Sequence, residues 1–248
     1  MDYIAHFERE TTAFHRAALM AALADTPPPV PSCPEWNTSD LIKHLGGVHR
    51  RVNHVIEARL QEPPNDAEVI VYPEDTSPSS LADWFAEGAI ALTQTFRATD
   101  PDLAVWTWWT QHDVAFWTRV QSVEAAVHRW DMEGAIGSPQ PVDKELAVDA
   151  VTQNFEVMIP ARIIRKSPPP GTGERYRFRQ TDGSGVWSIA FDPDGTRTLA
   201  DDEPADVELA GTASDLMLFL WNRIPGEPLK TSGSTEVLER FFMLAPPV

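Results

Sequence analysis

The stretch VEAAVHRWD, residues 123–131, places Glu124 and His128 at i and i+4, with Asp131 one turn further on. Side chains at that spacing meet on one helix face. Trp117 and Val120 precede them on the same face, which predicts that it points inward. Burying a carboxylate or an imidazole is costly unless a partner meets it. Alone, the pair reads as a helix-surface hydrogen bond. His44, in DLIKHLGGVH, adds a third group: it lies between Leu41 at i−3 and Val48 at i+4, on the apolar face of another helix. Two imidazoles and one carboxylate are a ligand set for a catalytic divalent metal with positions open to water or substrate. Zinc and other first-row metals suit such a set. Asp131 is placed to orient His128. Gly46 and Gly47 follow His44, although each Gly inside a helix costs about 1 kcal/mol against Ala. The pair predicts a close approach to the backbone there.

The remaining reactive residues carry weaker signals. His49 is five residues beyond His44, about 140° around the helix, and cannot easily share its metal. His6, His15, His54 and His112 read as surface or loop residues. Cys33 lies in a proline loop without an adjacent basic group, and small buried packing accounts for it. VWTWWTQHDVAFW contains four indoles. Of these, Trp108 and Trp109 are divided between core packing and the lining of a cofactor or substrate pocket. RIIRK, residues 162–166, reads as a basic helix end complementing the macrodipole.

The elements that must position these residues are mostly helices. Apolar periodicity predicts helices over 3–25, 38–60, 79–97, 113–135 and 142–164. Asn37 with Asp40 forms an N-cap box for the second of them. TPPPVPSCPEW breaks the chain after the first, since its prolines cannot continue a helix. After KSPPPGTGE the texture changes to short alternating stretches, RYRFRQ, VWSIAF, TRTLA and ADVELAG, separated by DGSG and DPDG turns. TASDLMLFLWNR reads as a helix capped by Thr212, followed by strand-like PLKTSG and a last helix near 234–243. The fold class is therefore an up-and-down four-helix bundle over residues 1–165 joined to a small α+β domain over 174–248.

Bulk properties narrow the function. The 248 residues are 42% hydrophobic and 23% charged, as in ordinary soluble globular proteins. A net charge of −17 argues against a nucleic-acid surface, which needs clustered Lys and Arg. No apolar run is long enough to span a bilayer, and MDYIAHFERE is no secretory signal, so the expectation is a cytoplasmic protein with no membrane partner. One cysteine excludes an intrachain disulfide.

CPEWNTSDLIKHLGG, RVQSVEAAVHRWDME and ADVELAGTASDLMLFLWNR together resemble the mycothiol-dependent maleylpyruvate isomerase family over nearly the whole chain. The resemblance implies a DinB-like metal-binding helical domain, with the metal-ligand triad carried over to His44, Glu124 and His128. It implies mycothiol as the thiol cosubstrate and an Arg at position 223 that reaches the active site. Physically, Arg223 suits bidentate binding of a carboxylate and equally suits a helix C-terminal cap. Two departures stand out: Glu35 replaces the family's Gly in Cys-Pro-Gly-Trp, and Val123 stands where many relatives have His. Both bear on the pocket rim and hence on substrate identity. The expected function is metal-dependent S-transfer or thiol-assisted isomerisation of a small electrophile. The rival is a non-catalytic metal or small-molecule binding protein of the same fold. Oligomeric state is not fixed by the sequence.

Overall fold

In a computed structural model, residues 1–200 and 203–247 are described; Asp201, Asp202 and Val248, within the expected second domain, lie outside them. The chain divides into two compact units, Met1–Val142 and Asp143–Val248.

The first unit contains α1 (Tyr3–Ala21), α2 (Thr38–Glu57), a short α3 (Asp66–Val69), α4 (Pro78–Ala98) and α5 (Val114–Ala135). The sequence signals for these ends are realised physically. Asn37 accepts from the backbone N–H groups of Ser39 and Asp40, and Asp40 caps the Asn37 N–H in return. Asp113 accepts from Phe116 N–H and starts α5. The first helix stops at Ala21, short of the predicted end at residue 25, and Leu23 beyond it is exposed.

Helix directions follow from side-chain contacts. Phe7 meets Phe96 and Phe14 meets Phe85, so α1 and α4 are antiparallel. Arg50 donates to Trp84 O at 2.7 Å and Thr95 to Asn53 at 2.7 Å, so α2 and α4 are parallel. Ser122 donates to Tyr3 O at 2.8 Å and Arg129 to Glu10 at 2.7 Å, so α1 and α5 are parallel. Strict up-and-down order therefore holds for the first and last connections and fails at the middle one. The long connection over residues 58–77 carries the chain back along the bundle, as crossover bundles require. Leu41, Leu45, Phe14, Phe85, Leu81 and Met132 lie in the shared apolar core.

In the second unit, α6 (Lys144–Gln153), a π-helical turn (Asn154–Met158) and α7 (Ile159–Lys166) form one interrupted helix. This is the stretch expected to end the bundle, and it belongs instead to the second unit. Pro160 has no N–H and its ring crowds the carbonyl one turn back, so the wider π turn forms where an α turn would clash. Then follow β1 (Glu174–Gln180), β2 (Val186–Asp192), β3 (Gly195–Thr198), β4 (Val207–Gly211), α8 (Ala213–Leu220), β5 (Lys230–Gly233), α9 (Thr235–Glu239) and α10 (Phe241–Leu244). Among the described residues the strands make one mixed sheet, ordered β3-β2-β1-β4-β5, with β1 and β4 parallel and the other pairs antiparallel. Alternation along β1 buries Tyr176 and Phe178 against Phe191, Phe219 and Phe241, which form the core of this unit.

The Gly46–Gly47 pair has a packing explanation. A Cβ on Gly46 would sit 2.3 Å from the Trp84 ring, and one on Gly47 would sit 3.3 Å from Ile70. Trp84 cannot yield: its indole N–H donates to Val71 O at 2.9 Å and the Arg50 guanidinium lies 3.8 Å over its ring. Gly46→Ala should therefore destabilise the protein by about 1–2 kcal/mol, overpacking outweighing the gain in helix propensity. Gly134, in α5, has nothing within 4 Å of its would-be Cβ. Gly134→Ala should stabilise by about 0.5 kcal/mol. Urea unfolding of both variants reads the opposite signs.

Candidate metal centre

His44, Glu124 and His128 converge, each offering one ligand atom, with those atoms within 4.8 Å of one another. Glu124 Oε1 lies 3.4 Å from His44 Nε2 and 3.4 Å from His128 Nε2. A tetrahedral ion with bonds of about 2.1 Å spaces its ligand atoms about 3.4 Å apart. The donor set and its spacing fit such an ion. The imidazole rings of His44 and His128 stand edge to face at 5.0 Å. The His128 side chain is 7% exposed, against 35% for His44 and 26% for Glu124, so the cluster has a closed floor and one accessible side.

The residues behind the triad are hydrogen-bonded in turn. His128 Nδ1 lies 2.9 Å from Asp131 Oδ2, and Ser32 donates to Asp131 Oδ1 at 2.5 Å. Asp131 is fully buried. An Nδ1–H donated to a carboxylate fixes the ring and directs Nε2 toward Glu124. Asp131 thus takes the orienting position read from its spacing. Ser32 and Trp36 are the residues that spacing missed. Both come from the proline loop, which closes on itself through Val30 N–H to Trp36 O and Trp36 N–H to Cys33 O. The Trp36 ring lies 4.8 Å from that of His44 and 6.3 Å from that of His128. The CPEW motif, with a Trp immediately before a capped His helix, was the signal that could have found it. Cys33 is half-buried against the apolar core, in the packing role expected of it.

The other candidates fall elsewhere. His49 is fully buried between Phe7 and Phe85, ring centroids 5.0 and 5.3 Å away. Burial pushes its pKa down to about 3, so the ring stays neutral. His6, expected at the surface, is buried, with Nδ1 2.7 Å from Arg9 Nη2. Trp108 is 38% exposed and stacks edge-on with Phe116 at 5.1 Å; Trp109 is half-buried. Phe116 precedes Glu124 by about 12 Å of helix, and the indole beside the two histidines is that of Trp36. Arg223 follows α8, after Asn222 in the left-handed conformation. Its backbone N–H bonds to Leu218 O and its Nη1 to Trp221 O at 2.9 Å. That is the helix-end arrangement its position allowed.

Charge in the cluster is set by proximity. Burial opposes the His128 cation, but hydrogen bonds to Asp131 and Glu124 outweigh it and push the pKa up to about 9. Burial likewise opposes the Glu124 carboxylate, and the two histidines still hold its pKa well below the usual value. In the metal-free protein His128 is therefore protonated at neutral pH, and that proton competes with any ion. The folded-state pKa is raised, so the stability it contributes is fully present below 6.5 and lost as pH rises through about 9. Zinc binding at pH 7 should release about one proton, and apparent affinity should rise about tenfold per pH unit toward pH 9. Titration calorimetry in buffers of different ionisation enthalpy measures the released proton. A pH-independent affinity would show that His128 is not a ligand.

Comparison with known proteins identifies the family and the fold. The family model described as the mycothiol maleylpyruvate isomerase N-terminal domain matches residues 7–133, and the MDMPI C-terminal domain model matches residues 145–240. Two crystal structures share the fold: the mycothiol-dependent maleylpyruvate isomerase, with TM-score 0.64 and 14% identity, and a His-to-Ala mutant of it, with TM-score 0.65 and 13% identity. Each alignment covers 93% of this chain and 92% of the other. No curated protein matches the sequence. No helix among the described residues is long and apolar enough to cross a membrane. With both domain models matched in order along the chain, this protein belongs to the mycothiol maleylpyruvate isomerase family.

Proposed function

We propose that this protein is a metal-dependent enzyme that uses mycothiol to isomerise a small electrophilic substrate of the maleylpyruvate type, with S-transfer as the related alternative. The observation that carries this reading is the spacing of His44, Glu124 and His128, with Asp131 and Ser32 fixing His128 from behind. A divalent ion held there, zinc foremost, would lower the pKa of a thiol brought to it, so that the thiolate is available at neutral pH.

The chain's own residues do the rest. Two neutral imidazoles and one carboxylate contribute a single negative charge, which leaves the centre with a net positive charge and a preference for an anionic partner. Trp36 covers the histidines on one side and excludes water there. A thiolate held beside its target attacks in a positioned rather than a bimolecular encounter. Its sulfur adds to one carbon of a cis double bond, and the electron pair moves onto the conjugated carbonyl. Rotation about the resulting single bond and expulsion of the same thiolate restore the double bond in trans. Nothing is oxidised, and the thiol is regenerated. S-transfer stops at the adduct, whose enolate takes a proton from water at carbon. Arg223 is proposed to bind an anionic group of the substrate, for which a guanidinium's paired bonds to a carboxylate are suited.

The test is elemental analysis of the purified protein followed by an assay with mycothiol and maleylpyruvate. His128→Ala and Glu124→Ala should abolish both metal content and thiol-dependent turnover. Asp131→Asn should retain the fold while lowering metal affinity about 10–100-fold. A fully active His128 variant would overturn the reading. Arg223→Ala should reduce turnover and leave metal content unchanged; an unchanged rate would assign it to the helix end alone.

A further inference from the structure

The buried polar groups of the second unit include a set with no partner. Arg162 is 3% exposed, yet neither its Nε nor its Nη2 has a hydrogen-bond partner among the described residues. Those two nitrogens form one edge of the guanidinium, the fork that grips a carboxylate or phosphate with parallel bonds. Asn154 is fully buried with both side-chain atoms unpartnered, and Gln153 is buried with its Nε2 unpartnered. Reading RIIRK as a basic helix end complementing the macrodipole does not account for this. Buried polar atoms are nearly always satisfied, and an uncompensated buried charge is among the costliest groups a fold can carry.

The backbone explains why these groups share a surface. Asn154 and Arg162 are eight residues apart, which on an α-helix at about 100° per residue would put them about 80° apart. The π turn over Asn154–Met158 absorbs one extra residue, so the effective separation is seven, or about 20°. They fall on one face, two turns apart. Long helical side chains lean toward the N-terminus, so Arg162 covers the turn nearer Asn154. On that face three unpartnered donor nitrogens, Arg162 Nε and Nη2 and Asn154 Nδ2, stand against one unpartnered acceptor, Asn154 Oδ1. The complement of such a set is rich in acceptors. The charges acting on Arg162 make the same point. Burial, then Arg165 and Arg223, push its pKa down to about 10, and no carboxylate offsets them.

We propose that Arg162, with Asn154, is the binding site of a small oxyanion, a carboxylate or a phosphate held bidentately on the Nε–Nη2 edge. This site lies wholly in the second unit and does not depend on the metal reading. The π turn is then the device that brings an amide and a guanidinium into phase.

The experiment is titration calorimetry of the full-length protein with malonate, with inorganic phosphate, and with uncharged malonamide. It is run on metal-stripped wild type and on the His128→Ala variant, so that an anion held at the triad is not counted. One malonate or one phosphate should bind saturably and malonamide should not; the tighter of the two anions identifies the ligand as carboxylate or phosphate. Arg162→Met should weaken anion binding about tenfold or more, Asn154→Ala should weaken it several-fold, and Arg165→Met, at an exposed position, should change it little. If Arg162→Met does not fold, Arg162→Lys serves, because losing the fork while keeping the charge should still weaken binding markedly. Absence of anion binding by wild type overturns the proposal. So does undiminished binding by the Arg162 variant, including the case in which Arg223→Met alone abolishes it.

Discussion

The setting of α5 about its own axis is the constraint on which the first unit depends. The helix buries polar side chains on more than one face, and each has a partner at a fixed place. Glu124 and His128 meet His44 of α2. Arg129, the next residue, donates from Nε to Glu10 of α1 and from Nη1 to Glu133 one turn on, both at 2.7 Å. It also reaches Gln140 O, which anchors the chain leaving the helix. Rotating α5 by one residue would bury all of these charges unpaired, several kcal/mol for each. The Arg129 network thus holds the register that points Glu124 and His128 at α2, and a structural ion pair sets the geometry of a chemical site.

The unusual bundle order serves the same end. With α2 and α4 parallel, the Gly46–Gly47 segment can take the Trp84 and Ile70 side chains at van der Waals range. This seats α2 deeply, with His44 on its opposite flank toward α5. The proline loop before α2 then has one function beyond ending α1. It folds back through Pro29 and Asn37, which form an isolated bridge, and delivers Ser32 to Asp131 and Trp36 to the histidines. A flexible loop could not hold an indole 4.8 and 6.3 Å from two rings; five prolines leave the segment little freedom to lose.

Much of this was legible in the sequence because it is local. The Asn37–Asp40 cap, the Thr212 cap and the period of α5 are decided by residues within a turn of each other. So is the i, i+4 pairing that put Glu124 and His128 on one face. His44 was placed by the apolar residues flanking it, which report burial without naming the partner. What was not legible depends on tertiary neighbours. The Gly pair signalled a close approach but not that an indole makes it. Ser32 and Asp131 are too far apart in sequence for any spacing rule to link them. The helix over 144–166 reads as one amphipathic element, and nothing in its period says which unit it packs with. Arg162 misled for the same reason: a basic residue near a helix end is ordinarily solvated, and only the tertiary fold buries it.

An acidic protein that handles anions is a contradiction only if net charge is taken as a local quantity. At physiological ionic strength exposed charges are screened over about 8 Å, so a formal charge of −17 spread over the surface acts mainly between molecules, keeping copies apart. Inside, screening is weak and a single group decides. On the proposed reading the triad would set one negative charge against an ion's two positive charges, and Arg162 lies buried with two guanidinium nitrogens unpartnered and no carboxylate offsetting it. Each interior site therefore favours an anionic partner despite the surface. The fold keeps the two kinds of charge separate by placing its excess carboxylates where water and salt neutralise them, and by leaving its positive centres where nothing but a ligand can.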